Sequence, residues 1–376
     1  MSAIGEVKIP GGKLVRVTVA DAAGTRTCHI DGDFFAAGEQ ASAAAITQAE
    51  AVLAARLDAL DAPGTAIEPW YRATVRALEP IVGSALIGAN AESIALAALR
   101  AHAQRAPEAF APELARFEAE RSARIRRQWQ AAQHDERTQP PLIDPRSVRE
   151  RWRAFAPVLV EDSPRMPEEQ MRVERAWSQE VARGEHPATL RVWDWAAPAV
   201  VCGAYQSIED EVHLDQARVR GVHVVRRDSG GGAMYIEPAR TITVSLYAPL
   251  GFVHGLSMAQ SFQLCDMWLI EGLRACGVHA RFAGLNDIAG PHGKIGGSAQ
   301  QRVPGDPGCV LHHTTLAYSI DARAMAAVLN TSAEKMSDKA VKSAAKRVEP
   351  ICAGTRLTRA QVVARLVRTA REFGAV

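Results

Sequence analysis

The sequence contains no C-x-x-C pair: its six cysteines, Cys28, Cys202, Cys265, Cys276, Cys309 and Cys352, lie scattered over 376 residues. That excludes a zinc knuckle and a thioredoxin-type redox motif, and makes buried, inert thiols the expected fate of most of them. There is no apolar run near the ~18 residues that a membrane span requires. The opening MSAIGEVKIPGGKLVRV lacks the basic-then-apolar layout of a secretory signal. A cytoplasmic protein with no membrane partner is expected. Neither sign of charge is in excess, with 44 basic residues against 42 acidic ones, so nothing global points to a nucleic-acid partner. Two standard phosphate-binding loops are missing as well. SGGGAMY has Tyr235 where G-x-G-x-x-G needs its last glycine, and Gly293-Lys294 runs into Ile295 instead of Ser or Thr. No internal repeat is found.

What is present reads as a globular protein long enough for two domains, with 47% hydrophobic and 23% charged residues. KLVRVTV at 13–19 alternates like a strand, and HIDGDFF at 29–35 supplies a turn and a second strand-like element. Residues 40–61 have helical spacing, and Asn90 is placed to cap a helix carrying Ile94, Leu96 and Leu99. A small α+β domain over 1–105 is predicted, then a charged helical and Pro-rich linker over 106–155. Its RSARIRR run fits a solvated helix better than a nucleic-acid patch. Over 156–376 strands and helices alternate: strands at 190–193, 199–202, 222–226 and 241–246, a helix at 208–220, and an amphipathic helix at 257–275. A hairpin is expected with Asn286–Ala289 and Lys294-Ile295 about a Gly290–Gly293 turn.

The stretch RRDSGGGAMY, 226–235, raises the question of what lies close to three consecutive glycines. Arg226, Arg227 and Ser229 beside convergent Gly N–H groups, and a lysine in GKIGGS, are ingredients of anion binding. A plain glycine turn with surface arginines fits the same ten residues. His312-His313 suggests a metal with His292, but adjacent residues on a strand point to opposite faces and cannot chelate one ion together. One of the pair should face a pocket and the other should pack or meet solvent. Cys276 and Cys309 are the nucleophile candidates, with structural burial the preferred reading of both.

Several stretches, in order, resemble the lipoate-protein ligase family, whose catalytic domain shares the biotin/lipoate ligase-like fold. They are APAVVCGAYQS at 197–207, RRDSGGGA at 226–233, Asn286-Asp287, KIGGSAQQR at 294–302, HHTTLA at 312–317 and the tail at 329–351. GGKLVRVTV, DGDFF and LIGANAESIALAALR resemble the small accessory domain of the same family, here in front. The resemblance implies an α+β, mixed-sheet catalytic domain over 156–376 preceded by an α+β accessory domain over 1–105. It implies ATP-dependent activation of lipoate to lipoyl-AMP, with Mg²⁺, and transfer to a lysine of an acceptor. That acceptor would be a 2-oxoacid dehydrogenase E2 lipoyl domain, the glycine cleavage H protein or a dedicated lipoate-binding protein.

By position, the resemblance gives Lys294 the catalytic contact to carboxylate and α-phosphate. Arg227, Ser229, Gly230, Gly231, Gly232 and Ala233 would line the lipoyl and phosphate pocket, and Asp287 would hold Mg²⁺ with Asn286 beside it. Ser298 and Ala299 would border the adenylate, and His312 or His313 the acyl channel. The chain departs from the family where Ile236-Glu237-Pro238-Ala239-Arg240 replaces an H-D-x-G-N run, where Thr314 replaces a glycine, and where Gln300-Gln301 replaces a Tyr-Arg pair. The last change is similar to octanoyltransferases, the main alternative reading. Those enzymes use a cysteine nucleophile, which in one class stands just before the lysine strand, where this chain has Arg281–Leu285. A non-catalytic lipoyl-domain binder is the third.

Overall fold

The computed structural model describes residues 2–8, 13–22, 25–37, 39–61, 65–105, 110–132, 142–330 and 348–376, with only the backbone at 22, 39, 40 and 122–132. The tail resemblance at 329–351 therefore lies mostly outside the described residues. The chain divides into two compact units, the first running to about residue 138 with Tyr205–Ser207, the second holding most of the rest.

In the first unit β1 (Ser2–Lys8), β2 (Leu14–Ala22) and β3 (Thr25–Gly32) form an antiparallel sheet in the order β1-β2-β3, and β4 (Phe35–Ala36) pairs with β5 (Leu86–Ile87). Helices α1 (Glu39–Leu60), α2 (Ile67–Val82) and α3 (Ala91–Ala103) cover it. The alternation of Val15, Val17 and Val19 puts all three in one buried cluster with Leu53, Leu57, Ile94 and Leu99. Asn90 caps α3 as its sequence suggests: its side chain accepts from Ser93 N–H at 2.9 Å, and Ser93 returns the bond to the Asn90 backbone.

The described residues of the stretch predicted as a charged helical and Pro-rich linker hold two helices. Helix α4 (Phe110–Ala132) packs Leu114 into the first unit's core, and Arg121, beside Tyr71 at 3.1 Å, reaches Glu92 at 2.6 Å. Helix α5 (Pro145–Phe155) belongs to the second unit. Asp144 caps it, and Trp152 is fully buried with its indole N–H on the Leu264 carbonyl at 2.9 Å. Val148 and Trp152, four residues apart, are the two fully buried side chains of this strongly charged helix, with Phe155 packed partly against the same core, so its composition reads as solvated text.

The second unit holds a mixed sheet of seven strands among the described residues, in the order β12-β13-β14-β15-β11-β7-β6. These are β6 (Val158–Glu161), β7 (Thr189–Trp193), β11 (Thr241–Ala248), β12 (Arg281–Ala283), β13 (Asp287–Ala289), β14 (Lys294–Val303) and β15 (Cys309–Ala317). The β6–β7 pair is parallel and the other pairs antiparallel. A smaller sheet, β10-β8-β9, is built from β8 (Ala199–Cys202), β9 (His223–Arg226) and β10 (Met234–Ile236). The α+β class with a mixed sheet is thus observed. Helices α9 (Met258–Ala275) and α11 (Arg359–Phe373) cover one face of the large sheet, packing Leu264, Leu269, Leu273 and Leu366 with Val192, Val244, Leu246 and Leu316. Helix α6 (Pro167–Ala182) lies against β11 and β15, with Glu174 reaching the opposite face.

The helix expected over 208–220 is instead two short ones, α7 (Ile208–Glu211) and α8 (Leu214–Val219). The backbone of Val212 and His213 pairs with Val328 and Leu329, at the end of α10 (Ala322–Val328), and so leaves the helical path. The β13–β14 hairpin forms about Gly290 and Gly293, whose N–H and C=O meet at 2.9 Å.

Candidate active site

The glycine stretch links β9 to β10, and its conformation is set by two arginines. Arg227 is buried; its Nε donates to Ser229 Oγ at 3.1 Å, one terminal nitrogen to the Val201 carbonyl at 3.0 Å, and the other to the Gly230 and Gly232 carbonyls at 2.8 and 2.9 Å. Arg226 donates to the carbonyls of Gly203 and Ala204 at 2.8 and 3.1 Å. Arg227 thus braces the glycine loop against β8, and Arg226 ties the start of the loop to the segment that follows β8. Gly231 sits at φ +97°, where a side chain is strained. A Cβ on Gly203 would come within 2.0 Å of the Gly231 carbonyl oxygen. The triplet is bent and closely approached, which answers part of the question its sequence raises.

Behind the loop stands a second set of groups. Ser229 Oγ lies 2.6 Å from His313 Nε2, and His313 Nδ1 lies 3.0 Å from both carboxylate oxygens of Glu174 on α6. Glu174 also accepts from Ser245 Oγ at 2.7 Å, which accepts from the Trp193 indole N–H at 2.9 Å. A carboxylate can only accept, so Nδ1 carries a proton, and in the neutral ring Nε2 accepts from the Ser229 hydroxyl. Burial alone would raise the Glu174 carboxyl. The His313 ring, hydrogen bonds from His313 and Ser245, and the Arg191 guanidinium outweigh that and hold it below the usual carboxylate range.

His312 points to the other face of β15, toward α9, as strand geometry requires. Its Nε2 donates to Asp266 Oδ1 at 2.8 Å and its Nδ1 accepts from the Gln300 amide at 2.9 Å. Asp266 further accepts from Thr314 Oγ1 at 2.6 Å and Ser298 Oγ at 2.5 Å, and Gln300 accepts from Ser261 at 2.9 Å. All of these residues are buried. Thr314 and Gln300, two of the departures noted in the sequence, are thus partners in one network. Both histidines are largely buried, His312 at 2% and His313 at 9% exposed.

On the edge of the same sheet, Lys294 Nζ lies 2.8 Å from Asp287 Oδ1, with the lysine about one-third exposed and Asp287 nearly buried. A Cβ on Gly297 would stand 2.6 Å from that ammonium, so the glycine leaves room for the lysine to lie across the strand. Asn286 donates its amide to the Ser298 carbonyl at 2.7 Å and clamps the hairpin. Among the described residues no group of three or more His, Cys, Asp or Glu is placed to hold a metal. Asp287 offers one carboxylate, which suits Mg²⁺ only where phosphate oxygens supply most of the coordination. Burial pushes the Cys309 thiol up to about 12 and raises those of Cys265 and Cys276, which disfavours the nucleophilic thiolate.

Comparison with known proteins decides the family. Residues 166–371 match the lipoyl protein ligase A/B catalytic domain. The chain belongs to that family. Relatives of this catalytic domain include an octanoyltransferase LipM of Kyrpidia tusciae, 29% identical over 42% of this chain and 64% of that protein. The lipoate-protein ligase A subunit 1 of Thermoplasma acidophilum is 27% identical over 40% and 58%, and lipoate–protein ligase 1 of Staphylococcus aureus 29% identical over 41% and 44%. The chain spans less than two thirds of the length of each. A chain from the structure of a bi-partite lipoate protein ligase and its E2 lipoyl domain from T. acidophilum superposes with a TM-score of 0.48, at 25% identity over 58% of this chain and 83% of that one.

In this member of the family the residues singled out in the sequence fall into three groups. Arg227, Ser229, Gly230, Gly231, Gly232 and Ala233 join with His313, and Ala299 lies beside His313 in the strand register. Lys294, Asp287 and Asn286 sit on the hairpin. The side chains of Ser298 and His312 turn away toward Asp266. Sequence reasoning missed Glu174 and Asp266. For Glu174 a signal existed: Gln170, Glu174 and Ser178, at four-residue spacing on α6, form a buried polar stripe.

Proposed function

We propose that the chain is an ATP-dependent lipoate–protein ligase. It would convert lipoate and ATP to lipoyl-AMP and pyrophosphate, then transfer the acyl group to a lysine of a lipoyl-domain acceptor. The observation that carries this reading is the Lys294 ammonium, held by Asp287 at 2.8 Å on a glycine-flanked strand while part of it stays open to a ligand. Both half-reactions place negative charge on phosphate and on a tetrahedral oxygen, and a fixed cation in a dry site stabilises that charge by several kcal/mol. Asp287 would steer the ammonium and contribute one carboxylate to Mg²⁺ carried on the phosphates. The braced glycine loop would take the acyl adenylate where side chains would collide with it. The accessory role of the first unit, closing over the activated acid to exclude water, belongs to the same proposal.

The test is pyrophosphate exchange into ATP driven by lipoate or octanoate, followed by intact-mass analysis of apo lipoyl-domain and H-protein acceptors. Lys294→Ala should lose on the order of a hundred- to thousandfold in exchange with the fold intact. A second reading, octanoyl transfer from an acyl carrier protein, draws on the octanoyltransferase relatives. It would prevail if acyl transfer proceeds without ATP and is abolished by Cys276→Ser or Cys309→Ser in folded protein. The raised thiols of Cys276 and Cys309 favour the ligase. Deleting residues 1–141 separates two roles for the first unit: loss of exchange with retained transfer from pre-made lipoyl-AMP supports water exclusion, and the reverse pattern supports acceptor docking.

A further inference from the structure

Glu174, His313 and Ser229 make an unbroken line of hydrogen bonds from the interior of α6 to the glycine loop, and no function has so far required it. We infer that this line is a proton relay for acyl transfer, with Ser229 taking the proton released by the attacking amine. The inference rests on the acyl-transfer reading above. The hydroxyl of Ser229 donates to His313 Nε2 at 2.6 Å and accepts from Arg227 Nε at 3.1 Å. A hydroxyl oxygen has one donor and two acceptor positions, so this arithmetic leaves one acceptor position on Oγ. Ser229 is buried, as are Gly230 and Gly231, and the loop becomes partly exposed at Gly232 to Met234.

The step balances as follows. The neutral acceptor amine forms the C–N bond, and the acyl C–O bond to the phosphate breaks, with AMP leaving on its electron pair. The amine's N–H proton passes to Ser229 Oγ as the serine proton passes to His313 Nε2, and Glu174 stabilises the resulting imidazolium through Nδ1–H. Among the described residues, the charged and titratable groups around His313 come from α6, β7, β11 and the glycine loop. Glu174 faces it from α6. Arg191 on β7 lies behind, paired with Asp162 at 2.6 Å and stacked on Trp177 and Trp193. Ser245 and Tyr247 come from β11, the latter a phenol that burial keeps protonated, and Arg227 comes from the loop. Glu174 is the carboxylate in direct contact with the ring, so it is a positioning residue whose charge, and not only its shape, matters.

Glu174→Gln keeps the shape and removes the charge. With pre-made octanoyl-AMP and an apo lipoyl domain, its transfer rate should fall about 10- to 100-fold, a fraction of what a general base supplies. KM for the acceptor and pyrophosphate exchange should stay within about threefold of the unmodified protein. Removing the counter-charge beside the ring should also displace the pH profile of transfer. Glu174→Asp should recover part of the rate, and Ser229→Ala should slow transfer as Glu174→Gln does. ¹⁵N-histidine spectra should show His313 protonated at Nδ1 and bare at Nε2 in the active pH range. An unchanged transfer rate and pH profile in Glu174→Gln, equal damage to both half-reactions, or a protonated Nε2 throughout that range overturns the relay. Failure of the ligase reading would look different: no exchange in the unmodified protein. The relay would then be read in amide formation from octanoyl carrier protein, where the same proton is released.

Discussion

His312 and His313 are neighbours in sequence and have opposite surroundings. His312 sits in a polar island, closed on every side by Asp266, Gln300, Thr314 and Ser298, within the apolar layer beneath α9. His313 sits in a line that starts inside the fold at Glu174 and ends on the glycine loop. The first arrangement has all its ends tied and so bears on stability. The second has an end at the candidate active site and so bears on chemistry. Two identical side chains acquire different roles because a strand turns successive residues to opposite faces.

The comparison is most strongly tested at Asp266. Asp266→Ala would strand His312 Nε2–H and the hydroxyls of Ser298 and Thr314 in an apolar layer, and should cost about 3–5 kcal/mol in denaturant unfolding. A cost below about 1 kcal/mol, typical of a surface change, would mean that the island is wet and the contrast false. Gly203→Ala should cost about 1–3 kcal/mol in unfolding and lower adenylation at least about tenfold, because the new methyl meets the Gly231 carbonyl and displaces the loop. Thr314→Val, which keeps the shape and removes the hydroxyl, should cost about 1–2 kcal/mol and leave the pH profile of transfer unmoved. The smallest effect concerns acid. The Glu174 carboxyl is lowered in the folded chain, so its contribution to stability is complete above the unfolded carboxylate range and is lost as pH falls through the lower folded value. Glu174→Gln should therefore flatten the pH dependence of unfolding below about pH 4.5, a change measurable by denaturant midpoints from pH 3 to 7.

Much of this molecule could be read from the chain. The Asn90 cap, the amphipathic α9, the β13–β14 hairpin and the divergence of the histidine pair each follow from local rules that involve a few adjacent residues. The α+β class and the family followed from motifs in order. What escaped was long-range. Glu174 meets His313 across 139 residues and Asp266 meets Ser298 across 32, and the polar stripe on α6, though visible in the chain, does not say which partner it meets. Arg227 next to glycines reads as an anion ligand, and its bonds to the carbonyls of Val201, Gly230 and Gly232 could not be read from the chain. Trp152 lies in text too charged to suggest a core, since α5 presents only two buried side chains among its eleven residues.

The doubled histidine also keeps β15 in place. Side chains alternate along a strand with a period of two, so a slip of one residue would exchange the two faces along its whole length. His313 would then lose Glu174 and enter the apolar layer beside Asp266, and His312 would arrive against the glycine loop with its proton on the nitrogen that has to accept. Apolar neighbours such as Leu311 and Val310 could tolerate such an exchange, because either would bury as well as the other. The two rings could not, since each needs its own carboxylate and its own tautomer. The pair therefore works as a key to the alignment of β14, β15 and β11, and substituting either ring should make misaligned refolding products more common before any effect on the chemistry is seen.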